Sequence, residues 1–80
     1  MLTHATPEDG DIVIRQDKRE GQVIYVLLTT PGADQYLLRT REEAVAQAER
    51  FARRQGVRAW FRDERAACVL LNDFRIVRSV

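Results

Sequence analysis

The segment from Thr40 to Gly56 constrains this fold more than any other stretch. Thr40-Arg41-Glu42-Glu43 has the form of a capping box. The threonine hydroxyl can accept from the backbone N–H of Glu43, and the glutamate can reach back to the N–H of Thr40. Two acids in the first turn suit the positive end of the helix dipole. At 100° per residue, Ala44, Val45, Ala48, Phe51 and Ala52 fall on one stripe, with Glu42, Glu43, Glu49, Arg50, Arg53 and Arg54 outside it. Glu49 and Arg53 are spaced for an i,i+4 ion pair. Gly56 is placed to end the helix in the left-handed conformation. A helix over Thr40–Gln55 is predicted. Its alanines allow close approach to a sheet, and Phe51 is its one large anchor. Full burial would make Phe51→Ala cost about 3–5 kcal/mol.

Strand signals flank this helix. Residues 1–10 are polar, carry Pro7 and Gly10, and read as a flexible N-terminal tail. Residues 11–80 read as one domain. Ile12-Val13-Ile14 opens a first strand, and Asp17 to Gly21 reads as a hairpin loop. Val23–Leu28 is the strongest strand signal. Thr29-Thr30-Pro31-Gly32 reads as a stop, with Pro-Gly suited to a type II turn. Gln35–Arg39 is a third strand. Beyond the helix, Val57–Arg62 alternates, with Val57, Ala59 and Phe61 on one side and Arg58, Trp60 and Arg62 on the other. Asp63-Glu64-Arg65 is a turn, Ala67–Leu71 a further strand, and Asn72-Asp73 its break. Phe74–Val80 is a last strand or a packed tail. The expected fold is α+β in two layers, one helix on an antiparallel sheet of four to five strands, in the order β-β-β-α-β-β.

One helix covers one face of such a sheet, and the other face is normally polar. Val23–Leu28 departs from this, because Val23, Tyr25 and Leu27 on one side and Ile24, Val26 and Leu28 on the other are all apolar. The cover could be the C-terminal segment with Phe74, Ile76, Val77 and Val80, a second copy of the chain, or another protein. Tyr25, Leu27, Phe74 and Ile76 are the candidate dimer or partner face. Charge is divided as well. Residues 1–38 hold three basic and six acidic side chains, while residues 39–80 hold ten arginines and six acids. Halves of opposite sign could orient a dimer.

Tyr36-Leu37-Leu38-Arg39-Thr40-Arg41-Glu42-Glu43-Ala44-Val45-Ala46-Gln47-Ala48 resembles the helix start of a small bacterial family, domain of unknown function 2188. The resemblance spans roughly residues 11–71, with the matching residues concentrated in 38–52. It implies two or three strands, a Thr/Ser-x-x-Glu-Ala helix, then a strand. The family often has a glycine turn after that strand, where this chain has Asp63-Glu64-Arg65-Ala66. The resemblance implies no activity and no functional residues.

Candidate chemistry is sparse. The one histidine, His4, lies in the expected tail, and the one cysteine, Cys68, lies in an apolar run and reads as core. That leaves no Cys/His pair, no histidine triad and too few ligands for zinc. Glu8-Asp9-Gly10-Asp11 lacks the ligand spacing of a calcium loop, and no glycine-rich phosphate loop occurs. Neither a cofactor nor catalysis is expected. One thiol cannot form an internal disulfide, no apolar run approaches the ~20 residues of a membrane helix, and the first residues lack a secretory pattern. The expectation is a cytoplasmic interaction or dimerisation module, with no membrane contact. The alternative is a nucleic-acid-binding surface of Arg50, Arg53, Arg54, Arg58, Trp60 and Arg62. An exposed Trp60 between two arginines could stack a base while the guanidinium groups hold phosphates.

Overall fold

The computed structural model describes residues 6–32 and 34–75. Five strands and one helix follow in the order β1 (Ile12–Arg19), β2 (Gln22–Thr29), β3 (Asp34–Leu38), α1 (Arg41–Gln55), β4 (Arg58–Arg62) and β5 (Cys68–Asp73). The sheet order is β3-β2-β1-β4-β5. The two-layer α+β architecture is present, and the sheet is mixed. Three pairings are antiparallel, as expected from the sequence, while β1 and β4 run parallel, with Ile12 opposite Ala59 and Val13 opposite Trp60. The parallel seam follows from the helix, because a crossover through α1 carries the chain past β2 and β1 and returns it in the direction of β1.

The helix starts and ends where its sequence places it, with one half of the capping box formed: the Glu43 carboxylate does not return a bond to the Thr40 N–H. Glu43 N–H donates to Thr40 Oγ1 at 3.1 Å, and Gly56 sits at φ 68° and ψ 43°. Val57 N–H closes the end by donating to the Ala52 carbonyl. Ala44, Ala48 and Ala52 are fully buried against Ile12, Ile14, Leu27, Ala59 and Phe61. Phe51 is only half-buried and stacks on Tyr36 with ring centroids 5.4 Å apart. The three alanines, rather than Phe51, are therefore the fully buried face of α1. Truncating Phe51 should cost less than the full-burial figure, about 2 kcal/mol. The expected Glu49–Arg53 pair does not form. Asn72 Nδ2 donates to Glu49 at 3.4 Å, and the Arg53 guanidinium lies 5.2 Å from the Phe74 ring centroid.

Three local expectations change. First, β1 continues to Arg19, so the hairpin loop is Glu20-Gly21 alone, with φ of 51° and 78°. Positive φ at both positions is the type I′ geometry, whose twist matches the flanking strands. Second, Gly32 is not in the positive-φ region, so the type II turn is absent, and the Thr30–Pro31 peptide is cis. Gly32 answers a close approach instead, since a Cβ there would stand 2.6 Å from the Thr29 carbonyl oxygen. Third, Asn72 and Asp73 extend β5 and pair with Ala59 and Arg58.

Both faces of β2 are occupied. Leu27 is buried under the helix, and Val26 is equally buried on the second face. That face also buries Val13 and Trp60, which are 1% exposed. Of the expected loose segment 1–10, the described part is tied to the sheet: Gly10 N–H donates to the Thr30 carbonyl and Thr30 N–H to that of Asp11. Ile76, Val77 and Val80 lie outside the described residues, as does His4.

Candidate functional site

The expected arginine and tryptophan surface does not assemble. Alternation puts Arg58, Trp60 and Arg62 on the sheet face away from the helix, as read from the sequence. Trp60 is buried there, however, and its ring cannot receive a base. Arg58 is 8% exposed, with its guanidinium 4.9 Å from the indole ring centroid. Arg62 is half-buried, with Nε 3.5 Å from Cys68 Sγ. Cys68 is half-buried at the start of an edge strand rather than in the core. Arg50, Arg53 and Arg54 stand on α1, across the sheet from this group. They are exposed and, with Ala46 and Glu49, line a shallow depression of about 460 Å³. The six residues thus divide into two groups on opposite layers.

What holds Arg58 and Trp60 is Asp11, a residue the sequence marked only as part of an acidic turn. Asp11 Oδ1 accepts from Arg58 N–H at 3.1 Å. Its Oδ2 accepts from Arg58 Nε at 3.0 Å, from Trp60 Nε1 at 2.9 Å and from Glu8 N–H at 3.0 Å. Arg58 Nη2 also donates to the Thr6 carbonyl at 3.2 Å and lies 3.4 Å from Glu8 Oε1. Burial alone would raise the Asp11 pKa. The Glu8 and Arg58 amides, the indole and the guanidinium together outweigh it, and the carboxyl sits below its usual range. Both carboxylate oxygens are engaged, so the cluster is a structural clamp joining the N-terminal segment, β1 and β4. The usable signal was strand alternation. Asp11 precedes Ile12 with the parity of Val13, and so faces the same side as Arg58 and Trp60.

The candidate dimer face changes too. Leu27 is fully buried beneath α1. Tyr25 is half-buried on the helix side, 6.1 Å from the Phe61 ring, and Phe74 packs on that same core. Leu27 thus belongs to the interior of this copy, Tyr25 and Phe74 are half-buried at the margin of the same core, and Ile76 is outside the described residues. In β2 it is Ile24, Val26 and Leu28 that face away from the helix.

The exposed apolar surface lies at the sheet edges. Among the described residues, Val23, Tyr36, Leu37, Val69 and Leu70 are the large apolar side chains left exposed, and the last four occupy the edge strands β3 and β5. Tyr36 and Val69 stand on the helix side, opposite Leu27 and Phe61; Leu37 and Leu70 stand on the second face, opposite Val26 and Trp60. Each edge strand carries one bulged residue, Gln35 in β3 and Leu71 in β5. Bulges of this kind limit how far a further strand can pair.

Among the described residues, no group of three or more His, Cys, Asp and Glu side chains is placed to hold a metal ion, and no helix is long and apolar enough to cross a membrane. The resemblance at the helix start rests on its own residues: set against protein-family models, curated proteins and solved structures, the chain matches none.

Proposed function

We propose that this chain is a protein-interaction module that associates through the edges of its sheet, first of all with a second copy of itself. One observation carries the reading. Among the described residues, four of the five exposed large apolar side chains sit on the two edge strands, β3 and β5. Such strands present unpaired N–H and C=O groups beside apolar side chains, which is the arrangement a further strand completes. Tyr36 and Leu37 point to opposite faces, as do Val69 and Leu70. A ligand lying on one face would cover only half of each pair, whereas a strand beside the edge covers both halves. The bulges at Gln35 and Leu71 leave short flat stretches, Tyr36–Leu38 and Cys68–Leu70. They favour a bounded, reversible contact over open-ended sheet growth. A two-fold pairing of like edges closes on itself, while β3 against β5 would propagate.

Light scattering over a wide concentration range tests this. The expected outcome is a mass rising from the 9.3 kDa of one chain toward twice that value. Leu37→Lys or Val69→Lys, placed on whichever edge is used, should return it to the monomer without loss of fold. A mass that stays at one chain at every concentration would sink the self-association reading.

A further inference from the structure

The arginines of α1 form a surface that the edge strands do not explain. Arg50, Arg53 and Arg54 are spaced i, i+3 and i+4 and so share one helix face. All three are exposed and line the same depression. The sequence pairs Glu49 with Arg53; in the structure Glu49 lines the same depression without forming that ion pair. Asn72 holds the Glu49 carboxylate, and among the described residues no carboxylate lies within ion-pair distance of the three arginines. By contrast, Arg58 is paired with Asp11 and Glu8, and Arg75 with Asp73 at 2.7 Å.

Part of this charge has a local use, since cations in the last turn stabilise the negative end of a helix dipole. Arg53 and Arg54 serve that purpose. Arg50 lies a turn earlier, and its i,i+4 relation to Arg54 places like charges side by side, which costs a few tenths of a kcal/mol. The cluster therefore holds more positive charge than the helix end calls for. Arg53 is also steadied by the Phe74 ring beneath it, so one of the three guanidinium groups is partly pre-positioned.

We propose that Arg50, Arg53 and Arg54 bind the phosphate backbone of nucleic acid, without reading its sequence. Guanidinium groups engage phosphate oxygens bidentately. One helical turn separates Arg50 from Arg54 by about 6 Å along the axis, close to the separation of adjacent phosphates on one strand. No exposed aromatic side chain lines the depression. Base stacking, the usual hold on unpaired strands, has no platform there. The surface accordingly suits a duplex held by its backbone, through contacts that position but do not specify. This binding surface is independent of the sheet edges and leaves them open to a second copy.

The test is a titration of the intact chain with a labelled duplex of mixed sequence, read by fluorescence anisotropy at several salt concentrations. The expected dissociation constant is in the non-specific range, about 10⁻⁴–10⁻⁶ M, and affinity should fall steeply with salt. Arg50→Ala/Arg53→Ala/Arg54→Ala should weaken binding at least tenfold at low salt. It should also lower the magnitude of the log–log salt slope by about two to three, near one unit for each phosphate no longer neutralised. The variant's circular dichroism spectrum and concentration-dependent mass should match the parent's, which separates this surface from the edges. No duplex binding at low salt would overturn the proposal. So would binding that the triple variant retains in full, or binding to anionic lipid vesicles with none to the duplex.

Discussion

Asp11 shows how much one buried side chain can organise. Its carboxylate fixes the main chain of β4 through Arg58 N–H, the guanidinium of Arg58 and the indole of Trp60. Replacing it with alanine would strip a buried guanidinium of its buried carboxylate and leave it the Thr6 carbonyl and the exposed Glu8, a loss of about 3 kcal/mol. That is a large share of the total for so small a domain. Acid acts on the same bond. The folded-state pKa of Asp11 is below its unfolded value of about 3.9. A depressed carboxyl contributes stability that is fully present above that value and is lost as pH falls through the folded value. Unfolding by urea should therefore show the parent losing stability below about pH 4 more steeply than Asp11→Asn, which is already weaker at neutral pH. Asp17 and Asp73 are lowered as well, Asp73 to about 2 by its bonds with Arg75, and both are present in parent and variant alike. Parallel curves for the two proteins would refute the role given to Asp11.

Among the elements, the helix was the most legible and the turns the least. Thr40, Glu43, the alanine stripe and Gly56 each act locally, and local sequence suffices to place them. The hairpin between β1 and β2 is shorter than its sequence suggests, because Asp17, Lys18 and Arg19 are polar. They nevertheless pair fully with Ile24, Val23 and Gln22. A strand whose end is solvated needs no apolar residues, so its polarity carried no boundary. Glu20 then occupies a left-handed position that favours asparagine or glycine. Glu20→Asn should stabilise the chain by about 0.5–1 kcal/mol, read as a raised urea midpoint at unchanged m-value. An unchanged midpoint would mean that the turn is not held in this geometry in solution. The Trp60 surface failed for a different reason. Alternation gives the face on which a side chain lies and is silent on whether that face is covered. The cover here includes Arg58 stacked on the indole, a consequence of tertiary geometry.

In the whole molecule, the parallel seam joins what the turns keep apart. The β1–β2 and β4–β5 pairings are each closed by a short loop, whereas Asp11 and Arg58 meet across 47 residues. The seam also divides the charge. Everything up to the end of β3 carries a balance of −3, and everything from Arg39 onward a balance of +4. The sequence offered these opposite halves as a means of orienting two copies. In the folded chain part of that opposition is met within a single copy, where Asp11 and Glu8 of the acidic half are set against Arg58 of the basic half, while Asp17 and Asp73 pair within their own halves. The domain is in effect a complex of two peptides that share a backbone. Polypeptides 1–38 and 39–80, prepared separately, should each lack stable structure and should recover the helical circular dichroism signal when mixed. Their association rate should fall as salt screens the attraction between them. Fragments that stay unfolded together would show that the covalent link between β3 and α1 is essential. Fragments that find each other would make this chain a split protein, reassembled by charge.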